Sequence, residues 1–404
     1  MIHLLFSYLQ KTHIWYIIIF FLTFTFFFDI TTFGDQQFSY LANSFLQGKL
    51  YFTQMPYSWG DSAPFGGHYY WPLGPFPAML LLPFVYLSRY FPLFFNHGYI
   101  AFLFVVGVLG LCYRLARKTG FNRTDSAYLA FAFCFASVYM GIAFMPHAWY
   151  FSHSIVAFFL LASLVEYLGK RRYWRIGLYM TAVLMTRISA SLGIVFYLAC
   201  VLLLVREKVY KKILHCSSLL VPILCGLVFL GLYNFARFGE IFEQGYSYQL
   251  LNSALVAARN YGTLNPIHIA GNLYYFLLSM PLPVFRDEIS HVLVFPFVRP
   301  DYWGMSAFVT SPYYLYLFFL SCRDKLSAIL IGTSIVVAIP VFLYYGIGLI
   351  QFGYRYSLDF LPYIFFLFIR NYHHKYSSLS TNMKGLILFS ALTNFYLFLT
   401  MLTK

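Results

Sequence analysis

From Ile14 to Phe28 the chain runs fifteen residues without a charge, and stretches like it recur almost to the C-terminus. Such a run needs its backbone polar groups bonded within the segment and apolar surroundings for its side chains. Of the 404 residues, 61% are hydrophobic and 10% charged. Soluble domains run nearer half and a quarter, so the deficit covers the whole chain. A soluble globule, a disordered chain and a disulfide scaffold are excluded. An all-α polytopic membrane protein remains. The aromatic content of 23% suits much surface at the lipid headgroup level.

The apolar runs predict eleven helices, at about 14–30, 98–116, 125–144, 150–168, 174–188, 191–206, 214–234, 306–322, 326–347, 356–370 and 385–403. The first carries no cleavage site and reads as an uncleaved transmembrane helix. The 174–206 stretch reads as a tight hairpin broken near Arg187 to Ser191. Residues 76–95, with Pro77, Pro83, Pro92 and Arg89, read as interfacial helices and not a span. The net charge of +14 follows from this layout. With the N-terminus inside, the inward turns hold Lys11 and the clusters around Arg114–Arg123, Lys170–Arg175, Arg206–Lys212, Arg323–Lys325 and Arg370–Lys384. Those are eighteen of the 27 basic residues, with only four acids beside them. Every inward turn is basic, as the positive-inside rule requires, so no nucleic-acid partner is needed. The six cysteines (Cys112, Cys134, Cys200, Cys216, Cys225, Cys322) lack CxxC spacing and read as small apolar residues.

Two outer segments, about 31–97 and 235–305, are too long to be connectors. In the first, Asp35 precedes an amphipathic stretch with Phe38, Leu41, Ala42, Phe45 and Leu46 at helical spacing, ending at Gly48. Asp35 is either a helix-capping acid or a reacting group. Asp61 opens DSAPFGGHYYWPLGPFP, where Gly66–Gly67 marks a turn; this acid is equally a turn residue. Tyr69, Tyr70 and Trp71 suit either an aromatic belt or a stacking surface for a sugar or lipid. Arg187 and Arg355 stand among apolar residues and require partners. An Arg355–Asp359 pair at i,i+4 is one reading, and a phosphate contact the other. Arg286, Asp287 and Glu288 read as a solvated turn. His147 and His153 lack a matching set of metal ligands. Asp35 and Asp61 are oxygen donors of the type Mg²⁺ or Mn²⁺ takes, but no motif calls for a required cofactor.

The runs GDxxxxYLAxxxLxGKLY (34–51), DSAxxGGHYYWPLGPxPAxLLLPF (61–84), LMTRISA (184–190), LYNFARFGxxFExGYSY (232–248) and GYRYSLDFLP (353–362) together resemble the GT-C superfamily of polyprenyl-phosphate-sugar-dependent glycosyltransferases. The likeness is to its bacterial protein mannosyltransferase-like (family 39) and aminoarabinose transferase-like members. The resemblance implies a GT-C fold of about eleven transmembrane helices with interfacial helices in the first outer loop. It divides the chain into an N-terminal module (1–240), an outer loop region (241–305) and C-terminal helices (306–404). It implies a bacterial inner or plasma membrane, an active site on the outer face and Asp35 as catalytic base. The donor would be a sugar on undecaprenyl-type phosphate, and the acceptor a hydroxyl of an envelope glycan, lipid or protein. Aminoarabinose transferase-like members hold the donor phosphate with a Lys in the first loop. The comparable place here is His68, with Lys49 the nearest Lys.

On this reading Asp35, with Asp61 beside it, takes a proton from the acceptor as it attacks the anomeric carbon, and configuration inverts. Arg187, Arg355, His68 and Lys49 are the candidate phosphate contacts, and Tyr40, Tyr69, Tyr70 and Trp71 the candidate substrate contacts. The alternative is a lipid-linked-sugar flippase or secondary transporter. It is disfavoured because the acids cluster outside or at the ends of the spans and no two-half repeat is visible.

Overall fold

The computed structural model describes residues 13–32, 35–54, 60–91 and 95–402. Lys11, Gly34, Pro92 and Lys404 lie outside them. The chain is mostly helical. Six helices are long and apolar enough to cross a membrane: α1 (Ile14–Thr31), α4 (Gly98–Lys118), α7 (Ala148–Tyr167), α11 (Val209–Phe238), α15 (Lys325–Leu343) and α17 (Thr381–Leu402). Between them run α2 (Gln37–Phe45), α3 (Phe76–Ser88), α5 (Arg123–Phe135), α6 (Tyr139–Phe144), α8 (Tyr173–Leu184), α9 (Ile188–Ser191), α10 (Ile194–Leu203), α12 (Ser253–Arg259), α13 (His268–Leu277), α14 (Ala307–Thr310) and α16 (Leu361–Tyr376). Two 3₁₀ segments, Pro312–Phe319 and Arg355–Asp359, and two antiparallel hairpins complete the fold. The hairpins pair β1 (Ala63–Phe65) with β2 (His68–Tyr70), and β3 (Leu282–Phe285) with β4 (Leu293–Arg299).

Five of the eleven expected helices are shorter or broken. The 125–144 run parts into α5 and α6 at Ala136–Val138. Every residue from Asp125 to Phe135 is buried, so this segment is the centre of the bundle and faces protein on all sides. The 306–322 run is the short α14 followed by a 3₁₀ segment that begins at Pro312. The 356–370 run begins as 3₁₀ turns and becomes α-helical at Leu361. The 174–206 hairpin breaks between Leu184 and Ile188, and again before Ile194.

Helix ends are fixed by local chemistry. Asn122 caps α5 by accepting from the Asp125 N–H at 2.9 Å. Asp324 caps α15 by accepting from Leu326 and Ser327. At the same end, Lys384 at the start of α17 reaches Asp125 at 2.7 Å. Trp15 of α1 stands 6.0 Å from Tyr113 near the end of α4. The opposite ends of α1 and α4 meet where Asn96 donates to the Thr32 carbonyl. The bundle therefore has one end with basic turns and one end bearing Asp35.

Close helix approach is set by small residues. Pro222 inside α11 has no N–H to give the Ser218 carbonyl. Across from it, on α8, stands Gly177. A Cβ there would lie 2.7 Å from the Leu219 carbonyl oxygen and 3.1 Å from that of Ser218. Gly177→Val should therefore lower the thermal unfolding midpoint in detergent, by an amount equivalent to about 1–3 kcal/mol. Gly332→Ala on α15, where nothing lies within 4 Å, should not lower it.

Candidate active site

A buried knot of polar side chains places Asp35. Gln36 donates to Asn96 Oδ1 at 3.0 Å and accepts from the His97 N–H at 2.9 Å. His97 is fully buried, and that burial pulls its pKa down to about 4. The neutral ring suits both of its neighbours. Nε2–H donates to the Pro146 carbonyl at 2.6 Å, and Nδ1 faces the Ser39 hydroxyl at 3.4 Å. This ties the start of α2 to the turn before α7. There the Ala148 N–H donates to the Asp35 carbonyl at 3.0 Å. The Asp35 carboxylate is then 2.9 Å from His147 Nδ1. It does not cap α2, whose N-terminal residue Gln36 makes no side-chain cap. The His147 ring holds the Asp35 carboxyl below its ordinary range, against the opposing effect of burial.

Asp61 arrives from the other side. Its N–H donates to the Leu250 carbonyl at 2.9 Å, and the Leu250 N–H returns a bond to Ser62. Trp149 Nε1 donates to Asp61 Oδ2 at 3.0 Å, and Gln249 reaches Oδ1 at 3.4 Å. Burial raises the Asp61 pKa, partly offset by the Trp149 bond and by the charge of Arg355. Two neighbouring carboxyls thus have their pKa values pushed in opposite directions, the arrangement that separates acid and base roles. Both residues also hold left-handed backbone, with φ of 44° at Asp35 and 65° at Asp61.

Asp35, Asp61, His147, Tyr150, Gln249 and Arg355 face one cavity of about 610 Å³. Beside it lies a second cavity of about 440 Å³. Leu73, Leu184, Ile188, Leu192, Leu230 and Val341 line it, and Arg187 and Arg237 open onto it. Trp149, Tyr344 and Tyr356 border both, so the two spaces share one aromatic wall. Gly74 belongs to the second cavity. A Cβ there would lie 2.0 Å from the Met185 carbonyl, so the 72–75 segment can seat against the broken α8–α9 junction only as glycine.

The two arginines differ in what they are bonded to. Arg187 donates from Nε to Asp359 Oδ1 at 2.9 Å and from Nη2 to Oδ2 at 3.2 Å, while Ser189 donates to Oδ2 at 2.5 Å. His153 Nδ1 stands 3.7 Å from the same carboxylate. Arg355 has no carboxylate within ion-pair distance among the described residues. Its Nη1 donates to Gln351 at 3.1 Å, its Nε is buried and unbonded, and its plane lies 5.0 Å from the rings of Tyr150 and Tyr356. The Arg355–Asp359 pair, one of the two readings of Arg355, is not formed, and Asp359 pairs with Arg187 instead. The cause is local: residues 355–359 are 3₁₀, where i and i+3 eclipse, so i+4 points about 120° away.

Of the residues expected at the site, Asp35, Asp61 and Arg355 line the larger cavity and Arg187 the smaller. Tyr40, Lys49, His68, Tyr69, Tyr70 and Trp71 line neither. His68 stands at the tip of the β1–β2 hairpin, stacked on Tyr51 at 3.8 Å, with exposed Lys49 5.9 Å over the same ring. Tyr70 packs on Phe238, and Trp71 is fully buried between Phe38 and Trp149. These two are packing residues, and the phosphate-contact expectation for His68 and Lys49 finds them away from the cluster. Sequence reasoning set His147 aside for want of metal ligands and missed Trp149 and Gln249. The available signal was a His and a Trp, each with a ring nitrogen able to hydrogen-bond, just after Pro146 at the mouth of an apolar helix. Among the described residues no group of three or more His, Cys, Asp or Glu is placed to hold a metal. Of the cysteines, all free, only Cys225 is exposed, on α11.

Asp359→Ala should destabilise the protein by about 3–5 kcal/mol, because it strands the buried Arg187 charge. Replacing both partners, as Arg187→Met with Asp359→Leu, should recover most of the lost thermal midpoint. Equal losses in the single and double variants would contradict this account. No protein-family model, curated protein or solved structure matches the chain.

Proposed function

We propose that the protein is an inverting glycosyltransferase that moves a sugar from a polyprenyl-phosphate donor to a hydroxyl acceptor. The observation that carries this reading is the convergence of Asp35, Asp61 and Arg355 on one cavity that adjoins a second, mainly apolar one with Arg187, Arg237 and Glu243 in its wall. An amphiphilic donor with an anionic junction needs both kinds of space side by side. Its isoprenoid would lie in the apolar cavity. Its phosphate would cross the aromatic wall toward Arg355, whose charge is not already neutralised by a carboxylate.

In this mechanism Asp35 accepts the proton of the acceptor hydroxyl as its oxygen attacks the anomeric carbon. The bond from that carbon to the phosphate oxygen breaks, and its electron pair leaves with the polyprenyl phosphate. Arg355 balances the charge that develops there. Attack and departure on opposite faces invert the configuration, and no covalent enzyme intermediate is formed. Asp61, held by Trp149 and Gln249, positions the acceptor. With the basic turns taken as cytoplasmic, the cavities open at the outer face of a bacterial plasma membrane, beside envelope glycans, lipids and proteins.

Two measurements test the reading. Proteoliposomes given a radiolabelled polyprenyl-phosphate sugar should release the sugar to acceptor. Asp35→Asn should reduce this about 10²–10⁴-fold with insertion intact. Donor crossing the bilayer with its sugar still attached would instead establish a flippase. In the His147→Gln enzyme the Asp35 carboxyl loses the neighbour that lowers its pKa. Burial then dominates, so the acid limb of kcat/KM moves to higher pH. An unmoved acid limb would remove Asp35 from the role of base.

A further inference from the structure

The β3–β4 hairpin carries more uncovered apolar surface than a water-exposed loop tolerates. Along β4, Leu293, Phe295 and Phe297 point to one face and are 49%, 76% and 51% exposed. Phe297 holds a left-handed φ of 65°, which a bulky side chain rarely adopts. No charge interrupts the row. Arg286, Asp287 and Glu288 are confined to the tip, and Arg299 ends the strand with its guanidinium 5.8 Å from the Tyr302 ring.

The opposite face of β4, Val294, Pro296 and Val298, is half-buried. There the Tyr396 hydroxyl of α17 donates to the Pro296 carbonyl. Tyr396 belongs to a stripe of exposed residues on α17 with Phe389, Leu392 and Leu399, at the i, i+3, i+7, i+10 spacing of one helix face. That stripe lies on a helix long and apolar enough to span the bilayer. Tyr396 is six residues from the end of α17, about 9 Å at 1.5 Å per residue. Its neighbour Phe395 packs on Phe24 at 5.1 Å, and Phe24 lies seven residues before the end of α1, about 10 Å by the same rise. Both helices put β4 below the cavity-side ends of the spans and not above them.

From this we infer that the β3–β4 hairpin is inserted into the cavity-side leaflet, with Leu293, Phe295 and Phe297 in contact with lipid acyl chains. The occupant is lipid because the row continues the exposed stripe of α17 at the same depth. The charged tip stays at the headgroup level, and Arg299 with Tyr302 forms an interfacial anchor at the other end of the row.

The test is fluorescence of the full chain in proteoliposomes, as the difference from the parent protein. In Phe295→Trp the added emission should be blue-shifted, quenched by lipids brominated in mid-chain and untouched by aqueous iodide. In Glu288→Trp, at the tip, the added emission should be quenched by iodide. Both side chains are already exposed, so neither change disturbs packing. Iodide quenching of the Trp at position 295 would overturn the proposal. So would resistance of that Trp to both quenchers, which would mean a second copy or another protein covers the row.

Discussion

One constraint fastens distant parts of the bundle: the carboxylate of Asp359, which is fully buried. Its two oxygens receive the guanidinium of Arg187 and the hydroxyl of Ser189. Those residues sit where α8 ends and α9 begins, and Asp359 ends the second 3₁₀ segment. The pair therefore fastens the broken hairpin to the entrance of α16, 172 residues along the chain. A buried charge pair is weak evidence for net stability but strong evidence for a unique arrangement, since either charge alone is costly to strand. Because Asp359 takes up Arg187, Arg355 faces the larger cavity without a carboxylate. One fixed pair decides which arginine is structural and which is available.

Much of the framework was legible in the sequence. Length and charge scarcity gave the helical membrane class, and the apolar runs gave the six long helices within a few residues. Gly66–Gly67 gave the turn of the first hairpin, Gly48 the stop after α2, and Arg187 to Ser191 the neighbourhood of the break. These are local signals, written in periodicity and in residues with special backbones. What escaped was of another kind. The 306–322 run is apolar enough for a span but winds as 3₁₀, because Pro312 and the packing of Tyr313 beneath the Ala132 carbonyl decide its form.

The candidate site was half legible for the same reason. Asp35, Asp61, Arg187 and Arg355 stood out because charge is scarce, and scarcity is visible in a sequence. Their partners were not. His147 meets Asp35, and Trp149 meets Asp61, across separations of more than eighty residues. The one pairing that spacing offered, Asp359 to Arg355 as the alternative to a phosphate contact, is not formed because i,i+4 reasoning presumes an α-helix. Of the aromatic cluster read as either a belt or a stacking surface, Tyr70 and Trp71 are buried and Tyr69 is half-buried, and composition alone does not tell which side chains of such a run turn inward.

The left-handed backbone at Asp35 and Asp61 limits how these positions can drift. That conformation costs most residues about 1–2 kcal/mol, and Asp and Asn bear it best because a short polar side chain can bond locally. The proposed mechanism asks for a carboxylate there, and conformation asks for a short one. Glu meets the first demand and not the second, Asn the second and not the first, and Gly only the second. Each site is thus held by two independent filters that overlap at a single residue type. An alanine there would mix backbone strain with lost charge, whereas asparagine separates the two.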